Sequence, residues 1–300
     1  MQPKTNALSN SQAQTVNTKP SKLKDWLLFT KMRLSFLVIV SAVAGYFFAG
    51  GGFDVHLVYL ILGGIFVTGA SNGMNQIIER DLDAKMSRTK NRPLPTGRMN
   101  LQEAYSIVIS FLIVGSAFMY LINEKALLWS IMSFILYAFV YTPLKLKTSW
   151  AVFIGAIPGA FPPFIGAIAH LDAYTQLVGI SFLVQFMWQF PHFWAIAWVL
   201  YDDYKHGGFS LLPGKNGRTK ESAFPILVYT LLLVPFSLLP WALDLTGNAT
   251  LILGSLLGLI FYLYAYRLYQ TCAVEDARKL MFASFVYLPL IQFLYVFDKV

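Results

Sequence analysis

The 300-residue chain contains one cysteine, Cys272, so neither an internal disulfide nor a multi-cysteine metal cluster is open to it. Charge is scarce as well. Asp, Glu, Lys and Arg make up 13% of the residues, where a soluble domain carries roughly 25%. With 56% hydrophobic residues and a mean hydropathy of +0.56, the ordinary soluble class is excluded. No glycine-rich loop closed by a lysine is present, which argues against nucleotide hydrolysis. The first 20 residues hold no arginine and no apolar run, so they offer neither the core of a signal peptide nor the Arg-rich character of a transit peptide. Rich in Ser, Thr, Asn and Gln, residues 1–25 are expected to form a disordered cytoplasmic tail, with 26–300 as a single domain. Cys272 itself suits a small apolar filler near a helix end.

What the sequence has in abundance is apolar runs of membrane-crossing length. Stretches near 33–51, 57–79, 102–122, 126–144, 150–169, 175–200, 224–243, 249–269 and 280–297 approach or exceed the ~20 residues of a helical span. The expected fold is all-α, a polytopic membrane bundle of about nine transmembrane helices around a central cavity. A net charge of +8 would suggest nucleic acid in a soluble protein. Here its distribution reports topology, and no nucleic-acid partner is expected. With the N-terminus inside, every Lys and Arg except Lys125 and Lys299 falls on the inner side. That partition obeys the positive-inside rule, and a wrong span count would scramble it.

Residues 75–95, NQIIERDLDAKMSRTKNRPLP, end the second span with carboxylates and a run of cations. Asn75, Glu79 and Asp83 recur every four residues, so on a continuous helix they share one face, drifting ~40° per step. Asn72 lies one turn further back, slightly off the stripe. Ionisable or amide groups within an apolar span face a cavity or a partner. Asp81, Lys85 and Lys90, taken singly, suit a solvated loop. A second acidic cluster, Asp202 and Asp203, follows the sixth span on the same side. A hard cation such as Mg²⁺ shares oxygen ligands among one or two carboxylates, waters and substrate phosphates. Glu79, Asp83, Asp202 and Asp203 are therefore the expected metal ligands, with Asn75 beside them. Arg88, Arg92, Lys145 and Lys205 are candidates to neutralise diphosphate oxygens. His192, alone within an apolar span, suits a structural hydrogen bond, a substrate contact or acid–base work. His56 and His170 fall in outer loops, and His206 in a solvated one.

The stretch N-x-x-x-E-R-D-L-D-x-K-M-x-R-T-x-N-R-P-L-P (75–95) resembles the first signature of the UbiA superfamily of intramembrane prenyltransferases. YTPLKLKT (141–148), GAIPGAFPPFIGA (155–167), WQFPHFWAIAW (188–198) and YDDYKHGG (201–208) extend the likeness over much of the chain. The combination of PHFWA with DDY is similar to the haem-modifying branch. Glu79 stands where many members have aspartate, which keeps the charge but lengthens the arm. The resemblance implies transfer of a farnesyl group from farnesyl diphosphate to a vinyl group of protohaem IX (haem b). The products would be haem O and diphosphate, and the cofactor Mg²⁺. It also implies an axial or propionate-side contact from His192 to haem, and a haem A synthase or terminal oxidase as recipient. A bacterial inner membrane is expected, with the N-terminus and the active-site loops cytoplasmic.

Two alternatives stay open at this point. A UbiA-type enzyme prenylating a quinone-precursor aromatic acid would differ only in its acceptor pocket. A transporter binding an ion and an anion fits less well, because both clusters lie on one side rather than at mid-membrane. The spaced glycine–aspartate pattern of a phosphatidyl-alcohol transferase is absent.

Overall fold

The computed structural model describes residues 21–300. Residues 1–20 of the expected tail therefore lie outside the described residues, while Lys22–Asp25 form the first turn of a helix. That helix, α1 (Lys22–Phe29), is capped by Ser21, whose hydroxyl accepts from the Lys24 N–H, satisfying one of the free donors of its first turn. It leads into α2 (Met32–Phe48) through a 48° bend. The hinge residue Lys31 has φ +51°, an unusual conformation for a side chain that is neither Gly nor Asn.

The remaining elements are α3 (Val55–Ile78), α4 (Arg80–Asp83), α5 (Leu101–Tyr120), α6 (Glu124–Ile135), α7 (Thr142–Leu144) and α8 (Ala151–Leu171). They are followed by α9 (Gln176–Val199), α10 (Tyr201–His206), α11 (Lys220–Ser237), α12 (Leu239–Ala242), α13 (Asn248–Thr271) and α14 (Val274–Phe297). A π-helical turn, Leu136–Tyr141, joins α6 to α7. Among the described residues the fold is helical throughout, apart from an isolated bridge between Thr246 and Lys299.

Seven single helices or continuous helical runs are long and apolar enough to cross a membrane, and the bent pair α1–α2 makes an eighth. The ninth expected span is α9. It has the length, 24 residues, but Gln185, Gln189 and His192 dilute its hydropathy. Position explains why it tolerates them: α9 packs against α8, α11 and α14, so its polar groups meet protein rather than lipid. Gln185 Nε2 donates to Gly159 O at 2.7 Å, and Gln292 Nε2 donates to Gln185 Oε1 at 2.8 Å. By contrast α13 exposes Ile252, Leu256, Leu259 and Leu263, an apolar stripe at helical spacing that suits lipid. The chain is a multi-pass membrane protein.

The two ends of the bundle differ. One gathers Lys31 at the start of α2, Glu79 at the end of α3, Lys145 after α7 and Asp203 after α9. The other holds the Lys125–Asp172 ion pair, the Tyr46–Asp54 hydrogen bonds, and Lys299 beside Gly50 and His170. The two cations left over by the charge partition thus sit together at the end opposite the carboxylates.

Candidate active site

Asn75 lies in the last turn of α3 and is buried. Its Nδ2 donates to Glu79 Oε2 (2.9 Å) and Thr142 Oγ1 (3.1 Å), and its Oδ1 accepts from Lys31 Nζ (3.2 Å). The expected continuous helix through Asp83 does not form. Glu79 terminates α3 at φ −92°, ψ 7°, and α4 is a separate turn. The four-residue spacing brings Asn75 onto Glu79, but Asp83 arrives through α4. Asn72 faces away from the stripe, donating to Thr30 O at 3.2 Å and tying α3 to the α1–α2 hinge. Lys145 Nζ pairs with Glu79 Oε1. It lies 5.0 Å from the Tyr141 ring centre and 5.5 Å from that of Phe209. The π-helical turn, a feature frequent at functional sites, supplies this corner. The Thr142 hydroxyl donates to Tyr137 O across it (2.8 Å) and so presents its lone pair to Asn75.

The loop after α4 folds back over it, and Met86, Ser87, Thr89 and Arg92 each hold a distinct part of it. Asp83 Oδ2 accepts from Arg92 Nη1 at 2.6 Å, and the Thr89 hydroxyl donates to Asp83 O at 2.8 Å. Met86 is 2% exposed and anchors the loop in the main core beside Gly207. Ser87 then meets the second acidic cluster: its N–H (2.8 Å) and hydroxyl (2.7 Å) both donate to Asp203 Oδ1. The two motifs, 116 residues apart, are one constellation.

Two carboxylate oxygens in it, Asp83 Oδ1 and Asp203 Oδ2, are buried without a hydrogen-bond partner. Glu79 Oε1 also lacks a hydrogen bond, but the Lys145 ion pair engages it. Burial pushes the Asp83 carboxyl above the usual carboxylate range, against the Arg92 guanidinium that pulls it down. At Asp203 burial acts in the same upward sense, but the two Ser87 donors together with the N–H and charge of Arg88 outweigh it, and the carboxyl ends below its ordinary value.

Asp202 does not join the others. One residue along a helix is ~100° around it, and the Asp202 carboxylate turns to Arg218 Nη1 at 2.8 Å. Arg88 lies close enough to Asp203 for its charge to act there. Lys205 stays exposed on α10, and His206 Nδ1 bonds Asp202 O at 2.7 Å. His192 is on α9, ~10 Å along the axis from its Val199 end, and makes no contact with the acidic residues. Among the described residues no three His, Cys, Asp or Glu side chains converge as a preformed metal cage. The two bare carboxylate oxygens nonetheless fit a hard cation that completes its shell with phosphate oxygens and water.

Lys31 was not singled out from sequence. At the inner end of a span a lysine reads as topology, and nothing in TKMRL announces a left-handed hinge. In the fold it is within electrostatic reach of Arg92, Lys145, Glu79 and Asp83. Three cations thus surround two carboxylates, an excess suited to an anion. Ser87 and Thr142 also lacked a signal of their own, although both lie inside motifs that stand out.

Residues 38–287 match the model of the UbiA prenyltransferase family. A protoheme IX farnesyltransferase of Christiangramia forsetii is 46% identical over 296 residues, covering 96% of this chain and 98% of its own. One from Cytophaga hutchinsonii is 43% identical over 283 residues, covering 93% and 99%. A solved structure of digeranylgeranylglyceryl phosphate synthase superposes with a TM-score of 0.77 at 21% identity, over 92% of this chain and 98% of that one. A UbiA homologue from Archaeoglobus fulgidus bound to GPP and Mg²⁺ gives 0.65 at 17% identity, over 91% and 99%. At such identities the structures speak for the fold alone. The family match and the relatives spanning nearly the whole chain carry more: this protein is a membrane prenyltransferase that belongs to the UbiA family.

Proposed function

We propose that the chain transfers the farnesyl group of farnesyl diphosphate to a vinyl group of protohaem IX, giving haem O and diphosphate. One observation carries the reading. Ser87 of the first motif hands both its donors to Asp203 Oδ1 of the second, while Asp203 Oδ2 and Asp83 Oδ1 stay bare, Asp83 within reach of the charges of Lys31 and Arg92 and Asp203 within reach of that of Arg88. The relatives' names supply the acceptor.

Asp83 and Asp203 would hold Mg²⁺, with Glu79 on the same rim. When bound, the ion supplies positive charge to the leaving diphosphate. The chain's own cations do related work. Arg92, Lys145 and Lys31 neutralise oxygens that gain charge as the C1–O bond of farnesyl diphosphate breaks. Asn75 holds Lys31 and Glu79 in place, so these groups need not reorganise during the reaction. The vinyl carbon supplies the electron pair for the new C–C bond. Water then adds to the resulting cation and releases a proton, which leaves a hydroxyethylfarnesyl side chain. The Tyr141 and Phe209 rings flank Lys145, and the Tyr137 ring packs against Tyr141. Their faces favour an allylic cation, and a site walled from bulk water delays its quenching. The location we propose is a bacterial inner membrane, and the charge partition supports an orientation with this end cytoplasmic; product passing to a haem A synthase or terminal oxidase suits so apolar a molecule.

The test uses purified protein in bilayer discs with farnesyl diphosphate and either protohaem IX or 4-hydroxybenzoate, with and without a chelator. Diphosphate release that needs haem, stops with chelator and returns with Mg²⁺ is the expected result. A prenylated aromatic acid would select the quinone-type enzyme instead, and uptake without covalent product a transporter. Lys31→Met isolates the unexpected cation. A hydrogen bond to a charged group is worth ~1.5–3 kcal/mol, so kcat/KM for farnesyl diphosphate should fall about 10- to 100-fold, with haem affinity unchanged. Unaltered kinetics would remove Lys31 from the site.

A further inference from the structure

His192 takes no part in the diphosphate constellation, yet its ring is held on three sides. It stacks on the Trp188 indole, with centroids 4.3 Å apart and planes 17° apart, and it meets the Phe285 ring edge-on at 4.8 Å. On the third side, Nδ1 lies 2.7 Å from Ser284 Oγ. That hydroxyl is also 2.6 Å from Met281 O, while Trp188 Nε1 donates to Ser284 O at 3.0 Å. Ser284 Oγ has one hydrogen, and a carbonyl oxygen only accepts. The hydrogen therefore points to Met281, and Nδ1 must donate to Ser284. No acidic side chain among the described residues bonds the ring to favour a second proton. In the neutral imidazole that follows, Nε2 carries the lone pair, and no side chain or backbone group among the described residues donates to it. Three contacts fix the direction of that lone pair.

We propose that His192 Nε2 is an axial ligand to the iron of the haem substrate, and that Ser284 is the positioning residue that fixes its tautomer. This rests on protohaem being the acceptor. Metal-bound histidines donate their other ring N–H to an outer partner, and the Ser284–Met281 pair is such a partner. Coordination is a lone-pair donation into an open axial position of the iron. No proton moves and no oxidation state changes. Iron held by His192 would sit ~10 Å along α9 from its Val199 end, apart from the diphosphate constellation.

The experiment titrates ferric haem into the purified protein in bilayer discs and follows the Soret band and the electron paramagnetic resonance spectrum. Farnesyl transfer is measured in parallel. Wild type should show a histidine-ligated spectrum. His192→Gln should lose it, and His192→Gly should regain it with added imidazole. Ser284→Ala should weaken haem affinity about 10-fold, in the range for outer-shell partners, and Ser284→Thr should restore it. A spectrum unchanged in His192→Gln overturns the ligation. Loss in Ser284→Ala without recovery in Ser284→Thr overturns the positioning role. If the spectra behave as expected while no haem is farnesylated, the proposed reaction fails and the iron site stands.

Discussion

Asp83→Asn and Asp203→Asn each leave the protein folded in the membrane and lower kcat for haem O formation by at least ~10²–10³-fold, the usual loss on removing one preorganised charge-stabilising group. The geometry explains why asparagine is the informative replacement. Asp203 Oδ1 accepts both Ser87 donors. An asparagine can keep its oxygen there, preserve the contact between the two motifs, and place its NH₂ where the bare Oδ2 was. Asp83 offers the same arrangement, with Oδ2 on Arg92 and Oδ1 bare. Each variant therefore converts a free anionic oxygen into a donor and changes little else. Such a group repels both a cation and the donors around it. Asp202→Asn discriminates between neighbours. Its exposed pair with Arg218 is of the kind worth ~0–1 kcal/mol, so its loss should be much the smaller. Turnover and expression level measured side by side check this. Near-normal turnover in Asp203→Asn, or an equal loss in Asp202→Asn, would contradict the assignment of the bare oxygens.

The contrast between Asp202 and Asp203 also shows where sequence stops informing. The spans were legible because lipid imposes length and hydropathy on each helix separately, and the cation partition then fixed which ends share a side. Even α9, diluted by two glutamines and a histidine, could be placed. The acidic motifs were legible as motifs because carboxylates at a span's end are unusual. Which oxygen faces which neighbour was not legible, since that depends on contacts between distant segments. Nothing local distinguishes Asp202 from Asp203, and contacts from other segments decide between them, Ser87 for Asp203 and Arg218 for Asp202. Lys31 was hidden for a related reason. Its function follows from a left-handed hinge residue that joins two helices, and lysine carries no preference for that conformation. The Asn75–Glu79–Asp83 stripe shows the converse. Periodicity placed the residues on one helix, yet the helix ends at Glu79 and a separate turn delivers Asp83.

Gly166→Val should lower the stability of the fold severely, because α2 and α8 touch there backbone to backbone. A Cβ on Gly166 would lie 1.9 Å from Ala42 O, and one on Gly45 would lie 2.1 Å from Pro163 O. Both obstacles are main-chain atoms of the facing helix, so neither can turn aside as a side chain would. Overpacking a relaxed core costs ~1–3 kcal/mol. Here the helices must separate, at a crossing where small residues provide the close approach on which packing in lipid depends. The site would suffer before the fold does. Gly45 is 14 residues from Lys31, ~20 Å along α2, so a wedge at one end tilts the other end and draws Lys31 from Asn75. Gly45→Ala, the milder change, should accordingly raise KM for farnesyl diphosphate at reduced but measurable expression. Gly179→Ala is the control. It lies on α9 with nothing within 4 Å of its added Cβ, and should be neutral or stabilising by ~0.5–1 kcal/mol from helix propensity alone. Detergent-resistant thermal unfolding of the three variants measures this. Equal stability of Gly166→Val and Gly179→Ala would mean that the α2–α8 crossing is not the constraint that aligns Lys31 with the carboxylates.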